Sequence, residues 1–480
     1  MPLTCRLDAS DSRPLYEQLY QHTVRRILDG SLPSGSALPS RRALCQHLKI
    51  SAATVETAYQ LLLAEGYILS RPRSGYVVSA LHPLPEASAP RPAPSQEPER
   101  QAPRFDFSTS ASDAGLFPYK VWAKLFKETL YGEPELLQRG HAQGDLALRQ
   151  TLSDFLSTYR GLNAPPERII IGAGSDYLLS VLLQLLPKGS VMAAEDPGYH
   201  GIYRACARQG LPCLPIPCDS QGMSAQALKQ SSATIAHVTP SHQFPLGISM
   251  PVGRRTQLLH WAGQAEQRYL IEDDYDSEFH HSARPLPAMQ GLDGAQRVIY
   301  LGTFSRSLAP SMRLAYMILP EALLQVYHQQ HLKSGETVSR FEQQTLARFI
   351  AEGYYLRHLR RAGRAYAQRL QRLCGSLSAL KNVQFMGRQA GLHFLLRLPH
   401  LSQRQMIGLA ARQGIELRGL SEYAHAQPVP SGTVILGFAG LSDEQVAPAA
   451  QALVTAWGIA KPAKGCHNQA INSIETKQEV

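Results

Sequence analysis

Two stretches of the 480-residue chain end apolar runs in groups that can bind and orient a small charged ligand. Tyr269 to Ile271 stops abruptly at Glu272-Asp273-Asp274-Tyr275, and Val298 to Leu301 stops at Gly302-Thr303-Phe304-Ser305-Arg306. In an α/β sheet ligands gather at the carboxyl ends of strands, so the first run delivers an acid and a phenol, Asp273 and Tyr275. The second delivers a small hydroxyl and a cation, Ser305 and Arg306, a combination that suits an anion and most simply a phosphate. A third run, Ile169 to Ile171, ends in Gly172-Ala173-Gly174-Ser175 and opens directly into a helical pattern. Backbone N–H groups at Gly174 and Ser175 can cradle a phosphate there.

The elements that must hold these groups are strands at Ile169–Ile171, 191–193, Ile235–Val238, 269–271 and 298–301. They alternate with helical stretches such as 176–186 and 254–267, the order expected of a parallel α/β sheet. This unit runs over about 104–460. Its C-terminal part offers a long helix beginning near Val338 and alternating segments VQFMG, GLHFLLRL and TVILGFAGLS. Arg357, Arg360, Arg361, Arg364, Arg369 and Arg372 make that helix basic, either as an exposed face or as a second surface for DNA.

Residues 1–80 form a separate unit. Pro14 suits the first position of a helix whose apolar face carries Leu15, Leu19, Val24, Ile27 and Leu28 until Gly30 stops it. Ser40 can cap a short helix with Ala43, Leu44 and Leu48 inward. Ser51, after a tight turn at Lys49-Ile50, can cap a third helix with Val55, Ala58, Tyr59 and Leu62 inward. Two helices joined by so short a turn make a helix-turn-helix. The segments Tyr67–Leu69 and Tyr76–Val78 alternate around Arg71-Pro72-Arg73 as a basic-tipped hairpin. The helix starting at Ser51 would enter the major groove, but Ala52 and Ala53 donate nothing. Base reading therefore leans on Thr54, with Arg41, Arg42 and Lys49 beside it and Arg71 and Arg73 on the hairpin.

Between the units, residues 81–103 hold seven prolines, the composition of a semi-rigid tether. Residues 461–480 are polar and read as a disordered tail. The charge of +10 and pI near 9.2 are compatible with nucleic acid and with simple solubility. No apolar run approaches membrane-spanning length and the N-terminus lacks a signal-peptide core, which points to a cytoplasmic protein that is not inserted in a membrane. The seven cysteines form no C-x-x-C pair, so reduced thiols are expected and a metal is not.

The words PLYEQLY, GSLPSGSALPSRRAL, ATVETAYQLLLAEGY and SGYVV resemble the winged helix-turn-helix of GntR regulators. The words DDY, GTFSRSLAP and the following Arg resemble the cofactor site of fold-type I aminotransferases, in the variant carried by MocR-type GntR regulators. The resemblance implies an N-terminal winged helix-turn-helix joined to a domain of the pyridoxal-phosphate-dependent transferase fold. It implies that Asp273 pairs with the pyridinium nitrogen of pyridoxal phosphate, that Tyr275 bonds its phenolic oxygen, and that Arg313 and the Gly174-Ser175 turn hold its phosphate. EDPGYH implies Tyr199 against the ring, and TPSHQFPLG offers His242 and Gln243 as polar contacts.

One position departs from that family. Where it has the lysine that forms a Schiff base with the cofactor, this chain has Arg306, between Thr303-Phe304-Ser305 and Ser307-Leu308-Ala309-Pro310. A guanidinium stays protonated and cannot form that bond. The resemblance also implies an arginine that grips a substrate carboxylate. None lies in LGFAGLS, and Arg418 is the nearest alternative. The expected protein is a regulator of double-stranded operator DNA that senses pyridoxal phosphate, another small phosphate or an amino-acid-like ligand without covalent attachment, and acts as a head-to-tail homodimer rather than an enzyme. The alternatives are an active pyridoxal enzyme with a DNA-binding appendage, a regulator with a different anionic ligand, and a scaffold for dimerisation only.

Overall fold

The computed structural model describes residues 3–8, 10–72, 75–81, 102–280, 287–331 and 335–458. The chain divides into two compact units, Met1–Arg100 and Gln101–Val480. Arg73, most of the 81–103 segment and the 461–480 segment lie outside the described residues.

The first unit has helices Leu15–Leu28, Arg41–Leu48 and Ala52–Ala64, then the antiparallel strands Ile68–Arg71 and Gly75–Val78. The second helix is capped by the Ser40 hydroxyl, which accepts from Ala43 N at 3.2 Å, and the third by Ser51, which accepts from Thr54 N at 3.1 Å. Each satisfies an N–H that the first turn cannot pair internally. Lys49 ends the second helix in the left-handed region at φ 53°, which lets the chain reverse in two residues. Val55, Ala58, Tyr59 and Leu62 are buried together with Leu19, Ile27 and Leu44. Two expected inward residues are not: Leu28 and Ala43 are exposed. Each directly precedes or follows a fully packed neighbour, and at about 100° per residue the adjacent position turns off the packed face.

The second unit is built on an eight-stranded sheet. Its centre is Met192–Asp196, Ile235–Val238, Tyr269–Asp274 and Val298–Thr303, all parallel neighbours. The expected all-parallel order fails at two places, and at one edge the short Gly222–Met223 pairs antiparallel with Cys213–Asp219. Ala315–Ile318 runs antiparallel between Val298–Thr303 and Ile169–Gly172. The turn from Phe304 to Leu314 brings the chain straight back beside the strand it has just left, which forces the reversed direction. On the far side Cys213–Asp219 pairs parallel with Met192–Asp196, despite Pro215 and Pro217, because a strand near the sheet edge tolerates missing donors. Ile169 and Ile171 pack into one apolar cluster and Ile170 into another, so both faces are covered, as parallel strands require.

The long C-terminal helix is two helices, Arg340–Ala351 and Tyr354–Leu377, with Gly353 at φ 74° breaking them. A left-handed residue is where glycine ends a helix without strain. A four-stranded sheet with Gln384–Met386, His393–Arg397, Thr433–Gly437 and Arg418–Gly419 completes the unit. It is antiparallel throughout. Arg369 is no part of an exposed basic face. It is 2% exposed and bonds Asp443 and Asp113 at 2.7 Å each, while Arg357, Arg360, Arg361, Arg364 and Arg372 are exposed.

Candidate functional site

A cavity of about 930 Å³ opens at the carboxyl ends of the central strands, where the crevice of an α/β sheet holds ligands. Ser175, Tyr199, Asp273, Tyr275, Ser305, Arg306 and Arg313 all line it. These residues come from segments spread over more than a hundred positions, and the sheet brings them together.

Asp273 and Asp274 are successive residues of one strand, so they face opposite sides. Asp273 faces the cavity with its Oδ2 3.1 Å from His237 Nε2. His237 comes from the neighbouring strand Ile235–Val238 and is buried beneath Tyr199, their ring centroids 6.5 Å apart at 27°. Asp274 turns inward to Arg160, Nη2 to Oδ2 2.7 Å, and accepts from the Tyr300 hydroxyl; Arg160 also donates to Ser241 Oγ at 2.8 Å. The sequence marked neither His237 nor Arg160. A lone histidine inside the apolar run IAHV was the available signal for the first. Nothing local signals the second, whose partner is 114 residues away.

Tyr275 donates its hydroxyl hydrogen to the His242 carbonyl at 2.9 Å. Burial lifts this phenol well above its ordinary range, and Arg306 opposes the rise. His242 itself is not on the cavity wall. Its ring is buried behind Tyr275, with Nδ1 3.0 Å from Asp276 Oδ2 and 3.1 Å from the Tyr275 hydroxyl. Gly391, at φ 73°, makes room for it: a Cβ there would stand 2.0 Å from Nδ1. The expectation of His242 as a ligand contact therefore gives way to a supporting position. Gln243 is likewise buried, donating to Pro197 and Phe244 carbonyls at 3.0 and 2.7 Å.

The phosphate-suited corner is formed by the start of helix Ser175–Leu185. Gly174 has φ 93°, and a Cβ there would meet the Arg313 guanidinium at 2.6 Å, so glycine is what lets Arg313 lie against the turn. Gly174 is behind Arg313 rather than on the wall. Two amides of the turn are already used, Ala173 N on Thr337 Oγ1 at 3.2 Å and Gly174 N on Gly172 O at 2.7 Å. The amides left for an anion are those of the first helical turn, ahead of the bond from Leu178 N to Gly174 O. Asp176 reaches both Arg313, at 3.5 Å, and the Tyr199 hydroxyl, at 3.4 Å. Burial and Asp176 push Tyr199 up to about 12. On the other side Ser305 N and its hydroxyl both bond Thr303 Oγ1, at 3.1 Å each.

Arg306 is half-buried on the cavity wall. Burial lowers its guanidinium, and Asp276, then Tyr275 and Tyr199, raise it. Arg418 also lines the cavity, held by Glu422 at 3.2 Å and Glu416 at 3.6 Å. Behind the wall, Glu195 is buried with Oε2 accepting from the Thr239 hydroxyl at 2.7 Å and Thr239 N at 3.1 Å; burial raises it to about 7. Asp196 accepts three backbone N–H groups, from His425, Ala426 and Gln427, at 2.7 to 2.9 Å. That clamp ties the segment carrying Tyr423 to the sheet.

Ligand atoms of His242, Asp276 and His393 lie within 4.8 Å of one another. Burial, with His242 next, drives His393 down to about 3.

In the first unit Arg42, Lys49, Ser51 and Arg71 are exposed around the start of the third helix or on the hairpin. Arg41 forms an ion pair with Glu56. Thr54 has its hydroxyl 2.8 Å from that of Ser51, so reading a base with it means exchanging a bond already made. Among the described residues no helix is long and apolar enough to cross a membrane.

A capped helix-turn-helix with a hairpin wing, followed by an α/β unit with an anion-suited cavity at its strand ends, is the make-up of a regulator with an enzyme-like second unit. Comparison with known proteins bears this out. The family described as "Bacterial regulatory proteins, gntR family" matches residues 15–78, and "Aminotransferase class I and II" matches residues 105–453. The uncharacterized HTH-type transcriptional regulator YdeL of Bacillus subtilis is 38% identical over 96% of this chain and 100% of its own. The probable rhizopine catabolism regulatory protein MocR of Rhizobium meliloti is 33% identical, over 91% and 92%. The pyridoxine biosynthesis transcriptional regulator PdxR of Corynebacterium glutamicum is 32% identical, over 92% and 95%. Among solved structures, the α-aminoadipate aminotransferase LysN of Thermus thermophilus, complexed with N-(5′-phosphopyridoxyl)-L-leucine, matches with a TM-score of 0.64 and 25% identity over 74% of this chain and 92% of that one. The chain belongs to the GntR family of bacterial regulators, in the MocR-type branch that carries an aminotransferase class I and II domain. Its helix-turn-helix domain implies that it binds DNA.

Proposed function

We propose that the aminotransferase-like unit senses pyridoxal phosphate, or a closely related phosphate, held without a covalent bond, and that binding shifts a dimer between DNA-bound geometries. The observation that carries this reading is the convergence of Asp273, Tyr275, Tyr199, Ser175, Ser305 and Arg313 on one cavity. The donor set fits the group. An acid backed by His237 suits a protonated ring nitrogen, a phenol suits the phenolic oxygen, and Arg313 with a helix start suits the phosphate. Pyridoxal phosphate supplies, when bound, an aldehyde on an electron-poor ring and a dianionic phosphate. The relative PdxR, named for pyridoxine biosynthesis, supports a ligand of this chemistry.

The non-covalent character rests on Arg306. The words on either side of it match the family's lysine turn, and a guanidinium cannot take the lysine's place in a Schiff base. On this reading the chain is a regulator and not an enzyme, residues 1–80 read DNA, residues 104–460 bind ligand and pair head to tail, and the protein works in the cytoplasm. A dimer then presents two DNA-binding units to a two-part operator, which raises affinity through effective concentration.

The test is calorimetric titration of the full chain with pyridoxal phosphate, with mass spectrometry after borohydride treatment, beside an Arg306→Lys variant. Wild type is expected to bind with no added mass and the variant to gain the cofactor's mass. Absence of binding in both would overturn the reading.

A further inference from the structure

We propose that the cavity's ligand carries a second acidic group besides its phosphate, and that Arg306 selects for it. This rests on the proposed ligand class. Among the described residues four arginines line the cavity, Arg204, Arg306, Arg313 and Arg418, and Arg204 is exposed on the helix His200–Gln209. Arg313 stands at the Gly174-Ser175 turn, where the phosphate belongs. Arg306 faces the electrostatic influence of Asp276, Tyr275 and Tyr199. Arg418 is neutralised by Glu416 and Glu422, whereas Arg306, among the described residues, donates no hydrogen bond and forms no direct ion pair. Asp276, the carboxylate that acts on it most strongly, is engaged elsewhere, by His242 Nδ1 at 3.0 Å and by Leu392 N at 3.2 Å.

A half-buried guanidinium turns a planar fork of N–H donors to the cavity, and that fork matches a carboxylate in bidentate fashion. A hydroxymethyl or aldehyde group cannot return the charge. The order of groups around a 3-hydroxypyridine 5′-phosphate says which substituent would meet it. With the ring nitrogen toward Asp273, the phenolic oxygen toward Tyr275 and the phosphate arm toward Arg313, the C4 substituent falls between the Tyr275 and Arg313 sides. Arg306 is the cavity cation whose charge acts on Tyr275. The favoured ligand is therefore a pyridine phosphate with an anionic group on C4.

Titration of the full chain with 4-pyridoxic acid 5′-phosphate and with pyridoxine 5′-phosphate compares a carboxylate with a hydroxymethyl at that one position. The carboxylate ligand is expected to bind at least about tenfold more tightly. Arg306→Gln is expected to abolish that preference while pyridoxine 5′-phosphate keeps its affinity. Should Arg306→Gln melt early, Arg306→Lys, which keeps the cation and cannot react with either probe, is expected to retain the preference. Equal affinities in wild type, or a preference that survives in Arg306→Gln, would overturn the inference and leave the proposed ligand class standing. Binding of neither probe, nor of pyridoxal phosphate, would overturn both.

Discussion

Arg160 and Asp274 form an ion pair of 2.7 Å in which each side chain is 2% exposed. The pair sits directly behind Asp273, the residue that the same strand turns to the cavity. Ser241 accepts from Arg160, and the Tyr300 hydroxyl donates to Asp274. Burial this complete makes the pair a support for the cavity floor and a liability if broken, because a lone charge left in the interior is far costlier than the intact pair is favourable.

Asp274→Ala is accordingly expected to destabilise the second unit by about 3–5 kcal/mol, read as a shift in the urea midpoint. Asp274→Asn, which keeps an acceptor for Tyr300, is expected to cost less. Equal stability of Asp274→Ala and wild type would refute this account of the floor.

Asp273 makes the opposite prediction. It is on the cavity wall and leans on His237 rather than on a deep ion pair. Asp273→Asn is expected to leave the urea midpoint near wild type while weakening pyridoxal phosphate about tenfold or more, by removing the charge opposite a protonated ring nitrogen. Calorimetry beside the denaturation curve separates the two effects.

The basic helix divides by burial. Arg369→Met removes the partner of Asp113 and Asp443 and is expected to cost about 2–4 kcal/mol. Arg372→Ala, on the exposed side, is expected to change stability by less than about 0.5 kcal/mol. Thermal melts of the two variants check the contrast.

Glu195 sets a pH dependence whose sign is unusual for a carboxylate. Burial raises it to about 7 from an ordinary 4.5. Between those values the folded chain keeps a proton that the unfolded chain has lost, so stability falls as pH rises across that window and levels off above it. The slope is about 1.4 kcal/mol per pH unit at most. Glu195→Gln, whose carbonyl can still accept from Thr239, is expected to reduce the slope by its own share and leave the share of Glu272. Denaturation midpoints at pH 5, 6, 7 and 8 would show it, against the wild type and a Glu272→Gln control, since Glu272 is also raised to about 7.

In the first unit, Ser51→Ala removes the cap of the third helix and is expected to cost about 1 kcal/mol. Arg42→Ala, exposed and not engaged in the unit's core, is expected to weaken DNA uniformly and to reduce the salt slope by about one. A salt series of operator-binding curves tests the second effect, and an unchanged slope would remove Arg42 from the phosphate contacts.

Much of this was legible in the chain itself. Capping serines at 40 and 51, the inward set Val55, Ala58, Tyr59 and Leu62, and the strands that end in DDY and GTFSR are local patterns, and local patterns follow from backbone geometry and periodicity. Ala315–Ile318 was not legible as an antiparallel insertion, because strand direction depends on where a turn returns the chain and not on the apolar run. Nor was the single long helix a sound expectation, since one left-handed glycine at 353 broke it.

By itself, then, the sequence determined which residue types stand at strand ends and helix starts, and hence the kind of ligand they suit. Only the tertiary structure decided their roles. It put Asp273 on His237 and Asp274 on Arg160, moved His242 from the wall to a place behind Tyr275, and buried Arg369 while leaving its basic neighbours in solvent. The physical reason is the same in each case. A side chain's charge and reach are local, but its partner comes from a segment tens to hundreds of residues away, and burial between the two is created only when the layers close.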